Sequence, residues 1–333
     1  MEGRKLKKIA ILATGGTIAG KAPCAENIVG YRAGVFNIQD LLQEITELDK
    51  TALIVGEQIC NIDSSSMTDA LLLTLAKRCN ELLSQDDIDG IVITHGTDTM
   101  EETAFFLNLT IRSSKPVVLV GSMRPANALS ADGPLNILNA VRTAVADASI
   151  GQGVLVSMND EIYSGRDVTK LHTMNVSTFS SPNGGALGYI VGDEVHYYYR
   201  SLKAHTINSE FYINELTDLP RVDIIYGHIG EDSVLLEASL AAGARGIVIA
   251  GCGMGGIHES IESVLLDACR CGVAVVRSSR TSSGIVTVGL EDWTKAGFIN
   301  ADNLNPQKAR LLLQLALTRT QDFNKIQQMF AKY

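Results

Sequence analysis

Four short segments of this chain carry hydroxyls, carboxylates and glycines at spacings suited to acyl-transfer chemistry. They are Thr14-Gly15-Gly16-Thr17, Asp63-Ser64-Ser65-Ser66, His95-Gly96-Thr97-Asp98-Thr99 and Gly165-Arg166-Asp167-Val168-Thr169-Lys170. Paired glycines let backbone N–H groups approach a ligand, and a hydroxyl beside them has the geometry of a nucleophile with oxyanion donors. The plainer reading is a tight turn with Thr17 capping a helix. Thr97-Asp98 has the same two readings: a second reactive hydroxyl beside an acid, or a helix start with Asp98 on the helix dipole. A hydroxyl nucleophile needs a base, and Lys170 is a candidate if it is buried; the ordinary lysine is a solvated surface group. His95 reads as a hydrogen-bonded core or turn histidine, because no second His or Cys stands at ligand spacing. Together these groups suit a small zwitterion, with an acid for its ammonium and hydroxyls and backbone N–H groups for its carboxylate.

One motif points elsewhere. Gly251-Cys252-Gly253-Met254-Gly255-Gly256 matches G-x-G-x-x-G between an expected strand and helix. A dinucleotide site calls for an acid about 20 residues on. Val276-Arg277-Ser278-Ser279-Arg280 stands there instead, so a 2′-phosphate site for NADP is the alternative reading.

These segments need a scaffold, and hydropathy patterning supplies one. Continuous Val/Ile/Leu runs at 8–13, 53–56, 90–94, 117–121 and 154–157 read as buried parallel strands. Helical periodicity fills 68–84, 99–111 and 133–148 between them. Residues 187–199 read as a hairpin turning at Gly192-Asp193, and 201–220 as a linker. The alternation resumes with strands at 222–226, 246–250 and 273–277, helices at 233–242 and 260–271, and closing helices at 306–318 and 321–331. The expected fold is α/β: two unequal α/β domains with parallel-rich sheets, a larger flavodoxin-like catalytic domain over 1–200 and a smaller one over 221–333. In open parallel sheets ligands bind beyond the carboxyl ends of the strands, where the segments above fall.

At 333 residues the chain has room for two cores at roughly 100–200 residues per domain. Hydrophobic residues at 46% exclude a disordered chain, and a net charge of −9 argues against nucleic-acid binding. No apolar run approaches the roughly 18 residues of a membrane span. The basic start before Ile9 resembles an export signal, but its apolar part is too short, and it reads as the first strand. Six cysteines without a C-x-x-C pair read as free thiols, which points to the cytoplasm; a periplasmic address with a removed signal is the alternative.

The chain resembles bacterial type II L-asparaginases, in the asparaginase/glutaminase family that uses a threonine nucleophile. The resemblance runs through essentially the whole sequence. It rests on Ala13 to Gly20, on Thr94-His95-Gly96-Thr97-Asp98-Thr99-Met100-Glu101-Glu102-Thr103, on Met123-Arg124-Pro125 with Ser130-Ala131-Asp132-Gly133-Pro134, on Gly165 to Lys170, and on Asn305-Pro306-Gln307-Lys308-Ala309-Arg310. It implies hydrolysis of L-asparagine to L-aspartate and ammonia without cofactor or metal. Thr17 then matches the nucleophile, and Tyr31, one residue off in spacing, the tyrosine that closes over it. Thr97, Asp98 and Lys170 match the second threonine, the acid for the substrate ammonium and the lysine that tunes that threonine. Ser64 matches the group receiving the α-carboxylate, and Gly16 and Gly96 line the site. The resemblance further implies a homotetramer of intimate dimers, each site completed by a neighbour's glutamate, here best matched by Glu291. Ser65 stands where relatives often carry Gln, and Met254 where some carry Asn, which implies low L-glutaminase activity. A disulfide of exported relatives falls at Leu83 and Ser113 and is absent. A non-catalytic amino-acid-binding module is the reading from another class; it would require loss of Thr17, Thr97 or Lys170.

Overall fold

A computed structural model describes residues 6–333. The first five residues, part of the expected 1–200 domain and of the basic start, lie outside the described residues. The chain divides into two compact units between Ser209 and Glu210, inside the stretch expected as a linker.

The first unit is built on one sheet. Strand β1 (Lys8–Gly15) is followed by helices α1 (Ile38–Gln43) and α2 (Leu48–Thr51), β2 (Leu53–Ile62), α3 (Asp69–Leu83), β3 (Gly90–Thr94) and α4 (Met100–Thr110). Then come β4 (Val117–Val120), α5 (Gly133–Val145), β5 (Val154–Met158) and β6 (Glu161–Ser164). A small pair, β7 (Thr169–Lys170) and β8 (Phe179–Ser180), and the hairpin β9 (Gly188–Val191) and β10 (Glu194–Tyr197) complete it. The sheet order is β10-β9-β6-β5-β4-β3-β1-β2. Its first five strands in sequence are parallel and lie in the order 2-1-3-4-5, the doubly wound arrangement of flavodoxin-like sheets.

Local chemistry explains the elements. Strand β3 (GIVIT) is buried along its whole length, as a central parallel strand with helices on both faces must be. Thr68 caps α3 by accepting from Leu71 N at 3.2 Å. The expected 53–56 strand is corrected to Leu53–Ile62. As an edge strand paired only with β1, it leaves Leu53 and Val55 half exposed and tolerates Glu57, Gln58 and Asn61, polar residues beyond the apolar run read from sequence. The 133–148 helix ends at Val145, and Asp147–Ser149 forms a separate 3-10 turn.

The second unit carries a parallel sheet of β11 (Val222–Tyr226), β12 (Gly246–Gly251), β13 (Ala274–Ser279) and β14 (Ile299–Asn300), in that order. Helices α6 (Val234–Ala241), α7 (Glu259–Arg270), α8 (Glu291–Ala296), α9 (Pro306–Leu317) and α10 (Phe323–Lys332) pack on it. Leu236, Ile247, Ile249, Ile261, Leu265 and Val275 form its core. Asn305 caps α9 through Lys308 N at 3.1 Å, with Pro306 at the first helical position, where its missing N–H costs nothing.

Candidate active site

The strand order reverses between β1 and β3, and the segments after β1, β2 and β3 meet there. Gly15 and Gly16 have φ of +102° and +81°. A Cβ on Gly16 would lie 2.3 Å from Gly96 Cα, and one on Gly96 2.6 Å from Ser64 Oγ. These distances are too short for any side chain, so glycine at both positions brings Gly16, Gly96 and Ser64 into direct contact.

Two buried threonine hydroxyls face this meeting point with different partners. Thr17, in the 3-10 turn Thr17–Ala19, lies 2.7 Å from the Tyr31 hydroxyl. Tyr31 belongs to the 20–34 loop. Thr97 Oγ1 accepts from Lys170 Nζ at 2.9 Å, and the same ammonium pairs with Asp98 Oδ1 at 2.5 Å. Lys170 keeps only 15% of its side-chain surface exposed, so it is not the ordinary solvated lysine, while Asp98 retains 59% and presents its carboxylate to solvent.

The helix-start reading of Asp98 therefore gives way: its carboxylate is engaged by Lys170. Thr99 occupies the N-cap position of α4 but makes no capping bond; its hydroxyl donates to Ser64 O at 2.8 Å and ties the β3 loop to the β2 loop. Glu101, in the first turn of α4, is a residue the sequence reading missed. It is 4% exposed and accepts from Thr169 Oγ1 at 2.5 Å and Lys170 N at 2.6 Å, fixing the strand that carries Lys170. An acid in a first helical turn is ordinary dipole complement, so nothing in the sequence set Glu101 apart.

His95 is fully buried. Its Nδ1 donates to Gly96 O at 2.7 Å, leaving Nε2 to accept from the Thr103 hydroxyl at 3.0 Å. Burial pushes its pKa down to about 4, so it is neutral at physiological pH, a structural histidine as its spacing suggested. Ser64 is buried; Ser65 is exposed and held to Asp63 Oδ1 through both its N–H at 3.0 Å and its hydroxyl at 2.9 Å. Among the described residues no group of three or more His, Cys, Asp or Glu could hold a metal ion. All six cysteines are free.

The remaining expected positions belong to the second unit. Met254 is exposed, and its carbonyl accepts from Arg277 Nη2 at 3.0 Å. Glu291 opens α8 and pairs with Lys295 at 2.7 Å on an exposed surface. The 251–256 turn closes on itself: Cys252 and Gly256 exchange backbone bonds of 3.1 and 2.7 Å, and Arg277 Nε fills it from below through Gly255 O at 3.1 Å. The N-terminus of α7 is capped by the His258 ring and carries Glu259 and Glu262 in its first turn. A dinucleotide diphosphate needs a positive helix end, and the start of α7, capped by the His258 ring and carrying Glu259 and Glu262, does not present one, which argues against the NADP reading.

What the first unit assembles is a pair of buried hydroxyls, each hydrogen-bonded to an ionisable side chain, beside an exposed carboxylate and glycine backbone. That set can form and resolve an ester on a hydroxyl. Comparison with known proteins agrees with its chemistry. A family model for the asparaginase N-terminal domain matches residues 8–203, and one for the glutaminase/asparaginase C-terminal domain matches residues 221–330. L-asparaginase 2 of Bacillus subtilis is 48% identical over 332 residues, covering 100% of this chain and 88% of that protein. A probable periplasmic L-asparaginase of Haemophilus influenzae is 50% identical over 98% of this chain and 93% of that protein. The crystal structure of a probable cytoplasmic L-asparaginase from Campylobacter jejuni is 51% identical with a TM-score of 0.96, covering 98% of this chain and 100% of that one.

Proposed function

The chain belongs to the asparaginase family, and from that premise we propose that it hydrolyses L-asparagine to L-aspartate and ammonia through a β-aspartyl ester on Thr17. The observation that carries the reading is the convergence of the Thr17–Tyr31 and Thr97–Lys170 pairs beside Ser64 and Asp98. Asp98 takes the substrate α-ammonium and Ser64 its α-carboxylate, which leaves the side-chain amide directed at the hydroxyls. Thr17 Oγ attacks the amide carbon, and the carbonyl electron pair moves onto oxygen, where backbone N–H groups of the Gly16 and Gly96 segments stabilise it. The Thr17 proton passes by way of the Tyr31 hydroxyl to the amide nitrogen, the C–N bond breaks and ammonia leaves. Water, positioned by Thr97 and Lys170, then adds to the ester; the Thr17 oxygen leaves, recovers a proton, and L-aspartate is released. No cofactor or metal takes part.

Ser65 and Met254 stand where relatives of the family often carry side-chain amides, so L-glutamine turns over far more slowly; comparable rates on the two amides would refute this. The active assembly is a homotetramer of intimate dimers, with Glu291 of a neighbouring copy completing each site. Exposed apolar side chains support association: Tyr198 and Tyr199 at 68% and Leu202 at 89% in the first unit, Ile229 at 99% and Leu235 at 67% in the second. Light scattering on the purified protein tests the tetramer. Six free thiols favour the cytoplasm, tested by fractionation.

The deciding experiment is ammonia release from L-asparagine, L-glutamine and D-asparagine, with Thr17→Ala and Thr97→Val beside the unaltered protein. Rapid turnover of L-asparagine, lowered at least roughly a thousandfold in both variants, supports the reading. A folded but inactive protein overturns it in favour of a binding module.

A further inference from the structure

The turn after β4, marked in the sequence by Ser122-Met123-Arg124-Pro125 and Asp132-Gly133-Pro134, has no part in the chemistry above. Its hydrogen bonds make it a rigid platform. Asp132, just before α5, accepts from Met123 N at 2.9 Å and Arg124 N at 3.0 Å. Asn136, inside α5, donates to Asp132 Oδ2 and to Gly121 O, both at 3.1 Å. The turn is thus stapled at both ends to the start of α5.

From this platform one side chain reaches the loop that carries Tyr31. Asn127 Oδ1 accepts from Ala22 N at 2.8 Å, and its Nδ2 donates to Ala22 O at 2.9 Å. Backbone bonds flank this contact, from Ala126 N to Gly20 O at 3.0 Å and from Leu129 N to Ala25 O at 2.8 Å. Ala22 is only 2% exposed, so the Asn127 amide satisfies an N–H and a C=O that water reaches poorly. On the other side of the same stretch, Lys21 and Arg32 exchange backbone bonds of 2.9 and 3.1 Å, which fixes the residue next to Tyr31. The connection runs from α5 through the turn to Asn127, then Ala22 and Lys21, then Arg32 and Tyr31, and ends on Thr17.

We propose that Asn127 is a positioning residue whose amide anchors the root of the 20–34 loop and so sets the Tyr31 hydroxyl on Thr17. This rests on the reading of Tyr31 and Thr17 given above. The amide suits the task because it offers one acceptor and one donor in a single plane, standing in for a strand neighbour; Asp offers acceptors only and Ala neither.

The test is a double-mutant cycle with a structural readout. Asn127→Ala is made in the unaltered protein and in Tyr31→Phe, and kcat for L-asparagine is measured with the rate of tryptic cleavage after Lys21 and Arg32, both exposed in the loop. Asn127→Ala should lower kcat about tenfold in the unaltered background and less than about twofold in Tyr31→Phe, with loop cleavage about tenfold faster. Asn127→Asp, which keeps the acceptor and loses the donor, should fall between on both readouts, and serves as the second variant should Asn127→Ala fold poorly. Equal losses of kcat in the two backgrounds, or unaltered cleavage, overturn the proposal. If the unaltered protein releases no ammonia, the functional reading has failed, and cleavage alone decides whether Asn127 holds the loop.

Discussion

Thr17 and Thr97 are both buried, and each has a hydrogen-bonded ionisable partner, yet they are supported in opposite ways. The partner of Thr97 sits on β7, whose backbone and neighbouring hydroxyl are held by the buried carboxylate of Glu101 from α4. The partner of Thr17 sits on a loop whose Ile28 and Val29 are 39% and 54% exposed. Lysine and tyrosine therefore differ in more than acidity: one is built into the scaffold, and the other is brought by a segment that must be in place each time the reaction runs. A site so divided can hold half its machinery ready and gate the other half, so that the Thr17 hydroxyl is fully set only once a ligand is seated.

The largest effects should separate the two halves. Lys170→Met removes the ammonium from Thr97 and Asp98 together and should lower kcat by roughly a thousandfold. Tyr31→Phe removes one hydroxyl from Thr17 and should cost about a hundredfold, because the backbone donors remain. Steady-state ammonia release compares them directly. A Tyr31→Phe loss larger than that of Lys170→Met would mean that the loop, not the scaffold, carries the greater share of the chemistry.

A smaller effect tests whether the Thr97 half is prebuilt. Glu101→Gln keeps an acceptor oxygen for the Thr169 hydroxyl and Lys170 N but removes the charge. It should lower kcat about tenfold and leave KM within about twofold, since Glu101 is buried and bonded to Thr169 and Lys170 N. A rise in KM with unchanged kcat would place Glu101 in binding rather than in the alignment of Lys170.

These two halves were unequally legible in the sequence. Strands β1, β3, β4 and β5 read directly because central parallel strands are continuous apolar runs, and the Thr17 and Thr97 segments stand out because they follow two of them. The helices α1, α2 and α8 and the strands β6, β7, β8 and β14 did not read: each is six residues or shorter, too brief to show a period. Thr17–Tyr31 and Thr97–Lys170 span 14 and 73 positions: Lys170 was already a candidate base from its residue type, whereas only the resemblance to a family linked Tyr31 to Thr17 before the fold brought them together. Glu101 and Asn127 look like a helix-start acid and a turn residue, and their roles exist only in contacts made across the fold. The 251–256 turn erred the other way: its glycines match a phosphate fingerprint, but the match says nothing of Arg277, which fills it.

The smallest effect on turnover, and a clear mark of the prebuilt half, belongs to His95. It donates to Gly96 O, the residue before Thr97, and is neutral when folded because burial lowers its pKa to about 4. In the unfolded chain it titrates near its ordinary value of about 6.5. Between those two values the unfolded state binds a proton that the folded state does not, so stability falls as pH drops from about 6.5 to about 4 and levels off below. The contribution is on the order of 3 kcal/mol over that window. Lost burial of His205, whose pKa is also lowered by desolvation, acts in the same direction. Urea midpoints measured from pH 7 to pH 4 should decline for the unaltered protein and decline less for His95→Gln, whose amide can still donate to Gly96 O and accept from Thr103 without titrating. At pH 7 that variant should keep its kcat within about twofold, because a neutral amide replaces a neutral imidazole. Parallel pH dependences in the two proteins would remove His95 as the acid-sensitive support of the Thr97 half and return that role to the carboxylates around it.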